Sequence, residues 1–467
     1  MLDHAEPQEK QRSGRSLPVR TGGTLAEDAV LRAAREAGRG ATAADRERRL
    51  APAVVTALKE AGLARHFVPR RWGGREGGFA DLITATALIA GQCPSAAWCG
   101  MLWAAHGRYA ARLPEEGQRE LWGRGPDTLI AAALTPPAGT ARPVPGGWLL
   151  DGRWDCVSGA DTSDWILLAA PADDTPARAD GSPGPAADAP VRATGTPVRV
   201  DGSPVTAAGG LGPAGRAPVR AGGGAVPAAG GGLAGSAGAE AWVLAVPRRE
   251  VTVHDTWHST GLRGTGSNSV AVQAVFVPDR RARPLRDVLA AAVEPGASPA
   301  RQAPAHVAGT AMFCAPALGA ARLALRSWTR WAATAPAGRP AALADPAVQR
   351  VLARSAAEID AAALLLERAG AGADAEPTAA RVEAVNRRDA AVAAELLVEA
   401  VERLFRTGGA HVRDATGDVQ RAWRDTHTVA AHGALRLDAA AGAYAAWHER
   451  EAEGGGEGAA AGSRGVR

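Results

Sequence analysis

Hydrophobic periodicity changes twice along the 467-residue chain, and the two changes divide it into three parts. From Leu25 to about residue 126 apolar residues recur at helical spacing, for example Leu50, Val54, Val55 and Leu58 within Asp45 to Ala61. Pro52 either kinks that helix or opens it, and Gly62 closes it. After a glycine-rich loop from Phe67, further helices are expected from Asp81 to Gly91 and from Ser95 to Arg112. At Asp127 the pattern breaks into short runs between turns, among them Ala-Trp-Val-Leu-Ala-Val-Pro and the Ser269 to Val277 stretch, in which Val and Phe largely alternate with small or polar residues. A β-barrel or sandwich is expected there. From Ala303 helical spacing returns in four long stretches, Ala317 to Trp331, Val348 to Ala369, Thr378 to Phe405 and Val419 to Trp447, which suggest an up-and-down four-helix bundle. The layout predicts an α+β fold with an N-terminal helical domain at 26–126, a central β domain at 127–280 and the bundle at 281–450. Disordered tails are expected at 1–25 and 451–467.

One segment resists this pattern. Residues 171–240 hold little besides Ala, Gly, Pro, Asp, Arg, Thr, Ser and Val. Such a composition does not bury enough apolar surface to offset its ordering entropy, so a disordered insertion between adjacent strands is expected. Charge excludes some partners. The 53 basic and 49 acidic residues leave +4 overall, and no basic run carries interleaved aromatics, so nucleic acid is not expected. Neither a membrane span nor a secretory signal is expected, since no long uninterrupted apolar run exists and the N-terminus is charged. The four cysteines form no Cys-x-x-Cys and lie near no His at ligand spacing, so no metal is expected and the thiols suit a reducing cytoplasm.

Three stretches carry a family resemblance: Trp154 to Leu168, with Val-Ser-Gly-Ala-Asp; Thr256 to Pro278, with Gly-Leu-Arg-Gly-Thr-Gly-Ser; and Leu404 to Gly433, with Trp-Arg-Asp-Thr-His-Thr-Val-Ala-Ala-His-Gly. In this order the chain resembles the acyl-CoA dehydrogenase superfamily, and within it the two-component flavin-dependent monooxygenases. The resemblance implies an acyl-CoA dehydrogenase-like fold and a homotetramer. It also implies reduced FMN or FAD from a separate reductase, with FMN favoured, and hydroxylation of an aromatic or polyketide-type small molecule by O2 through a C4a-hydroperoxyflavin. An N-oxygenase of an amine or amino sugar, an acyl-CoA dehydrogenase and a degenerate flavin-binding homologue are the competing implications. No Rossmann fingerprint is present, which places NAD(P)H oxidation on another protein.

The resemblance also implies roles for particular residues. Ser158, with Gly159 in the same turn, is placed at flavin N5, whereas the residues alone read as a Ser-Gly turn satisfying its own backbone. Thr135, before Pro136 and Pro137, is placed at the pyrimidine edge, or is merely the end of a strand. The glycines around Arg263 suit an anion nest and its guanidinium suits phosphate; the resemblance places this segment near flavin phosphate or at the substrate mouth, with Ser267 a lesser candidate, and the residues alone read equally as a β-turn with a surface Arg. Gly408 and Gly409 are placed where a neighbouring subunit's flavin phosphate approaches, and equally suit a plain helix C-cap. Trp98, Trp103 and His106 are expected either to line an aromatic pocket, with His106 on the substrate, or to pack the core.

Two histidines remain, His427 and His432, on what reads as one Ala-rich helix. The dehydrogenases carry a catalytic Glu before a Gly about nine residues after an Arg-Asp pair; here that position reads Ala431-His432-Gly433. An imidazole suits taking a phenol proton better than an α-proton of a thioester. His432 is therefore the candidate base. His427 points roughly 140° away around a continuous helix and is expected to be structural.

Overall fold

The computed structural model describes residues 25–173, 240–292, 296–335, 340–410, 412 and 414–461. The expectations for the N-terminal tail and for nearly all of the low-complexity insertion fall outside them. Five helices open the chain: α1 (Glu27–Glu47), α2 (Pro52–Glu60), α3 (Phe79–Ala90), α4 (Pro94–Ala110) and α5 (Glu115–Trp122). In α1 the buried residues Val30, Ala33, Ala34, Ala37, Ala41 and Ala44 make a single stripe at helical spacing. The helix ends where Arg48 turns left-handed (φ 57°). Pro52 then opens α2 at its first turn, so the alternative of a kinked continuous helix is not what forms. By contrast α4 is buried along nearly its whole length, Pro94 to Arg108, and is a core helix.

Two four-stranded sheets follow, built from β1 (Ile130–Ala133), β2 (Thr140–Val144), β3 (Gly147–Val157), β4 (Trp165–Pro171), β5 (Ala241–Pro247), β6 (Thr252–His254), β7 (Asn268–Pro278) and β8 (Ala282–Pro284). One sheet runs β1-β4-β5-β8 and the other β2-β3-β7-β6. They form a sandwich, with Ile166, Leu168, Leu244 and Val246 of the first packed with Leu150, Trp154, Val270 and Val272 of the second. The alternate residues of the first sheet, Leu167, Ala169, Val243 and Ala245, pack with Leu113, Leu121 and Trp122 around α5. Burial on both faces explains why β4 and β5 read as continuous apolar runs. Strands β4 and β5 are antiparallel neighbours with Pro171 opposite Ala241, so the insertion leaves and rejoins the sheet at one edge of this pair.

The C-terminal part holds short α6 (Leu285–Leu289) and α7 (Pro299–Gln302), then α8 (His306–Ala333), α9 (Pro346–Ala375), α10 (Ala380–Thr407), α11 (Asp418–Ala430) and α12 (Leu437–Ala461). The stretch Val419 to Trp447, expected as one helix, is therefore two. The helix stops at Ala430–Ala431, His432 takes an extended ψ of 130°, and a 3-10 turn at Gly433–Leu435 reorients the chain into α12. α12 runs past residue 450, where the bundle was expected to end. α8 is long and apolar enough to cross a membrane, yet 89% of its apolar window is buried inside the protein, as for a core helix. Small residues permit this: a Cβ on Gly319 of α8 would lie 2.4 Å from the Ala87 carbonyl oxygen of α3. The Ala-rich composition thus buys close helix contact in place of large side chains.

Candidate functional site

Ser158 closes β3 and is followed by Gly159 in the left-handed region (φ 71°). That turn lies directly on α4, where a Cβ on Gly159 would sit 3.2 Å from Trp103 Nε1 and 3.9 Å from Cys99 Sγ. Glycine is required here both by its φ and by this approach. One turn earlier on α4, Trp98 Nε1 donates to Ser158 Oγ at 3.1 Å. Behind Ser158 stands a line of hydroxyls from the loop before β7. Ser158 Oγ lies 2.7 Å from Ser267 Oγ, and Ser267 Oγ lies 2.6 Å from Thr265 Oγ1. All three are buried.

The other side of the Trp98 ring meets His432. Their centroids are 6.0 Å apart, and both contact Phe313 of α8, which stacks on His432 at 4.3 Å and on Trp98 at 5.6 Å. Three mutually packed rings form a surface suited to a planar aromatic ligand. Ser158 and His432, distant in sequence, are thereby joined through one indole. The helix break decides this. His432 is not on α11, so the 140° separation from His427 that holds for a continuous helix does not apply. His427 stays on α11, its Nδ1 2.8 Å from the Trp423 carbonyl oxygen and its ring beside Trp423.

The tautomer of His432 follows from its neighbour. Ala434 N–H donates to His432 Nδ1 at 3.2 Å, so the neutral ring carries its proton on Nε2. Burial lowers the pKa from 6.5, which favours that neutral form. As it stands His432 donates from Nε2; taking a proton there, the role expected of a base, would require the ring to give up the Ala434 bond. His106 shows the opposite tautomer. Its Nδ1 is 2.8 Å from the Ile130 carbonyl oxygen, which can only accept, so Nε2 is unprotonated. Burial pushes its pKa down to about 4. It lies eight residues beyond Trp98 on α4, about 12 Å along the helix axis. None of the contacts just described includes it.

The loop carrying Arg263 is pinned by α11. Leu262 N–H donates to buried Asp425 at 2.6 Å, and a Cβ on Gly261 would lie 2.3 Å from the Arg424 carbonyl oxygen. Burial pushes the Asp425 carboxyl up to about 6. Arg263 lies 4.0 Å from Asp45, which Arg424 holds more closely at 3.0 Å. Asp45 thus lies between the two guanidinium groups. Arg263 Nε is buried with no partner, and so is Trp103 Nε1 beside Gly159. Thr135 is exposed beyond the end of β1 and joins none of these hydrogen bonds. Gly408 caps α10, where a Cβ would meet Val412 Cγ1 at 2.0 Å; Gly409 is left-handed (φ 61°) and faces open space.

These residues suit a reduced flavin. Two buried N–H groups lack acceptors, one of them beside the Gly159 turn, the Arg263 guanidinium suits phosphate, and aromatic rings suit an isoalloxazine or its aromatic substrate. Phe313, Thr265 and Asp425 were not singled out in the sequence. Thr265 and Asp425 stand inside the quoted Gly-Leu-Arg-Gly-Thr-Gly-Ser and Trp-Arg-Asp motifs, and only the scarcity of Phe, five in the chain, draws attention to Phe313.

Residues 311–437 match the family model of the acyl-CoA dehydrogenase C-terminal domain. The FADH(2)-dependent resorcinol hydroxylase oxygenase component of Rhizobium sp. (strain MTP-10005) is 27% identical over 84% of this chain and 86% of that protein. The flavin-dependent monooxygenase oxygenase subunit HsaA of Mycobacterium tuberculosis (strain ATCC 25618 / H37Rv) is 28% identical over 83% of this chain and 86% of its own. The fold matches that of XiaF from Streptomyces sp., solved in complex with FADH2 and glycerol, with a TM-score of 0.71 at 24% identity over 90% of this chain and 94% of that one. The C-terminal helices thus match the acyl-CoA dehydrogenase C-terminal domain, the fold matches that of XiaF, and over more than four fifths of its length the chain is similar to oxygenase components of flavin-dependent monooxygenases.

Proposed function

We propose that this protein is the oxygenase component of a two-component system, hydroxylating an aromatic small molecule with O2 and reduced flavin supplied by a separate reductase. The observation that carries the reading is the indole of Trp98, bonded to Ser158 Oγ and packed against the His432 ring. Reduced flavin, when bound, activates O2 and supplies one oxygen atom to the substrate ring. Ser158 and Gly159 would hold the flavin ring, Trp103 Nε1 would donate to it, and Arg263 would face the phosphate. Gly408 and Gly409 are proposed as an approach for the phosphate of a neighbouring subunit's flavin in a homotetramer, supported by the open space at Gly409. Thr135 is retained only as a residue for the flavin edge.

Trp98 and Phe313 exclude water from the reacting ring. His432 Nε2–H is proposed to donate to the substrate's phenolic oxygen. That bond stabilises a substrate that enters as the phenolate, its proton already left to bulk solvent, and the ionised oxygen raises electron density at the ring carbons beside and opposite it. His106, with Nε2 unprotonated, is proposed to accept a hydrogen bond from the substrate's far end. The dehydrogenase reading lacks its catalytic base, since position 432 carries no carboxylate and Asp425 is committed to Leu262 N–H. FMN and FAD are retained together, because two of the relatives described above name FADH2. The four unpaired cysteines support a reducing cytoplasm.

The test supplies purified protein with chemically reduced FMN or FAD, ¹⁸O2 and a panel of phenols. Formation of a catechol or quinol carrying one ¹⁸O atom is expected. Flavin bleaching by an acyl-CoA, or O2 consumption without oxygenated product across the panel, would overturn the reading.

A further inference from the structure

A hydroxyl has one proton and donates once. Thr265 spends its proton on the Leu262 carbonyl, 2.9 Å away. The 2.6 Å contact between Thr265 and Ser267 is therefore donated by Ser267. Ser267 then has no proton for the 2.7 Å contact with Ser158, so Ser158 donates it. Trp98 Nε1, which can only donate, gives its hydrogen to Ser158 at 3.1 Å. Four bonds run in one direction, from Trp98 through Ser158, Ser267 and Thr265 to Leu262. Ser158, Ser267 and Thr265 are 8%, 5% and 2% exposed, so water does not compete for these groups. At the receiving end the Leu262 carbonyl also accepts from Thr265 N–H at 3.1 Å and from Trp257 Nε1 at 3.0 Å, and Leu262 N–H is held by Asp425.

We propose that Thr265 and Ser267 are positioning residues that turn Ser158 Oγ into a hydrogen-bond acceptor toward the flavin, so that the site selects the reduced ring over the oxidised one. The inference rests on the flavin site proposed at Ser158. With its own proton committed, Ser158 Oγ has one lone pair left to offer. The N5 of a reduced flavin bears a hydrogen and makes a fifth bond in the series. The N5 of an oxidised flavin is a bare acceptor and meets that lone pair unfavourably. It gains a bond only if all three hydroxyls turn over together, which gives up the Thr265–Leu262 bond. The preference is worth one net hydrogen bond, about fivefold in affinity. It suits a protein that takes reduced flavin from another protein and releases it once oxidised.

The experiment measures dissociation constants for reduced flavin, anaerobically, and for oxidised flavin, by fluorescence or calorimetry, in the native protein, Thr265→Val and Ser267→Ala. Thr265→Val keeps the side-chain shape and frees Ser267 to donate back to Ser158. Ser267→Ala frees Ser158 to donate to the ligand. In both, the affinity ratio of reduced to oxidised flavin is expected to narrow about fivefold, chiefly through tighter binding of the oxidised form. The equivalent change is a two-electron midpoint potential lower by about 20 mV for the bound flavin. An unchanged ratio in either folded variant overturns the directional series while leaving the flavin site intact. Failure of the native protein to bind either flavin overturns the proposed function, and this inference with it.

Discussion

At the scale of single residues, the position of one proton separates two roles for His432. A base needs an unprotonated nitrogen toward the substrate, and here that nitrogen accepts from Ala434. A donor needs Nε2–H, which the neutral tautomer supplies. His432→Ala is expected to lower kcat about 100-fold, the scale of a lost polar group at a reacting centre. His432→Gln keeps an N–H donor and no base, and is expected to recover at least about tenfold of that loss. Equal kcat for the Gln and Ala variants would show that the ring acts as a base. Because burial depresses the His432 pKa, the neutral form persists at pH 7; a protonated ring still carries Nε2–H, so a donor is expected to keep its kcat/KM as pH drops below 6.5 through that depressed value, where a base would lose activity. Trp98→Phe keeps a ring on Phe313 and removes the hydrogen bond to Ser158; a loss of roughly fivefold in flavin affinity is expected by titration, with the thermal midpoint nearly unchanged.

At the scale of elements, the site depends on α11 holding the Leu262 loop. Leu262 is itself left-handed (φ 49°), a strained setting for a branched side chain, and is kept there by Asp425. Gly261→Ala places a methyl 2.3 Å from the Arg424 carbonyl oxygen and 2.4 Å from Thr428 Oγ1. Backbone on one side leaves little room to relax, so about 2 kcal/mol of destabilisation is expected in urea melts, together with weaker flavin binding. A change below about 0.5 kcal/mol would mean that the loop and helix separate freely.

At the scale of the whole molecule, buried ionisable groups set the acid response. His66 and His106 are fully buried and their pKa values are lowered by burial to about 4. A depressed folded value means that the unfolded chain binds the protons first. Stability from each is intact above 6.5 and declines as pH falls from 6.5 to about 4, by roughly 3 kcal/mol per residue. Asp425 opposes this, since its raised value near 6 makes the folded protein take up a proton before the unfolded one, offsetting about 3 kcal/mol between pH 6 and 4. The expected outcome is a net loss of a few kcal/mol over that range, steepest between 6.5 and 6 where the carboxyl does not yet compensate. Chemical denaturation at fixed pH values reads it directly, and a flat profile would place the histidines in water.

What could be read from the chain alone was what repeats locally. Helical spacing in α1 and α9, alternation in β7 and the apolar runs of β4 and β5 depend on neighbours within a few residues, so the succession of helices, sandwich and helices was legible. The motifs around Ser158, Arg263 and His432 were legible as well. Helical spacing alone runs the last Ala-rich stretch through Ala431 although Gly433 is a stop signal there; in the fold the break is accompanied by the Ala434 N–H turning back to the imidazole and by Phe313 packing on the ring. Local pattern did not show that a tryptophan on α4 links a serine from one sheet to a histidine beyond α11, since such contacts come from packing distant segments together. The tautomers of His106 and His432 and the direction of the hydroxyl series were decided last of all, because a proton's location depends on which acceptor the folded backbone brings within 3 Å of it.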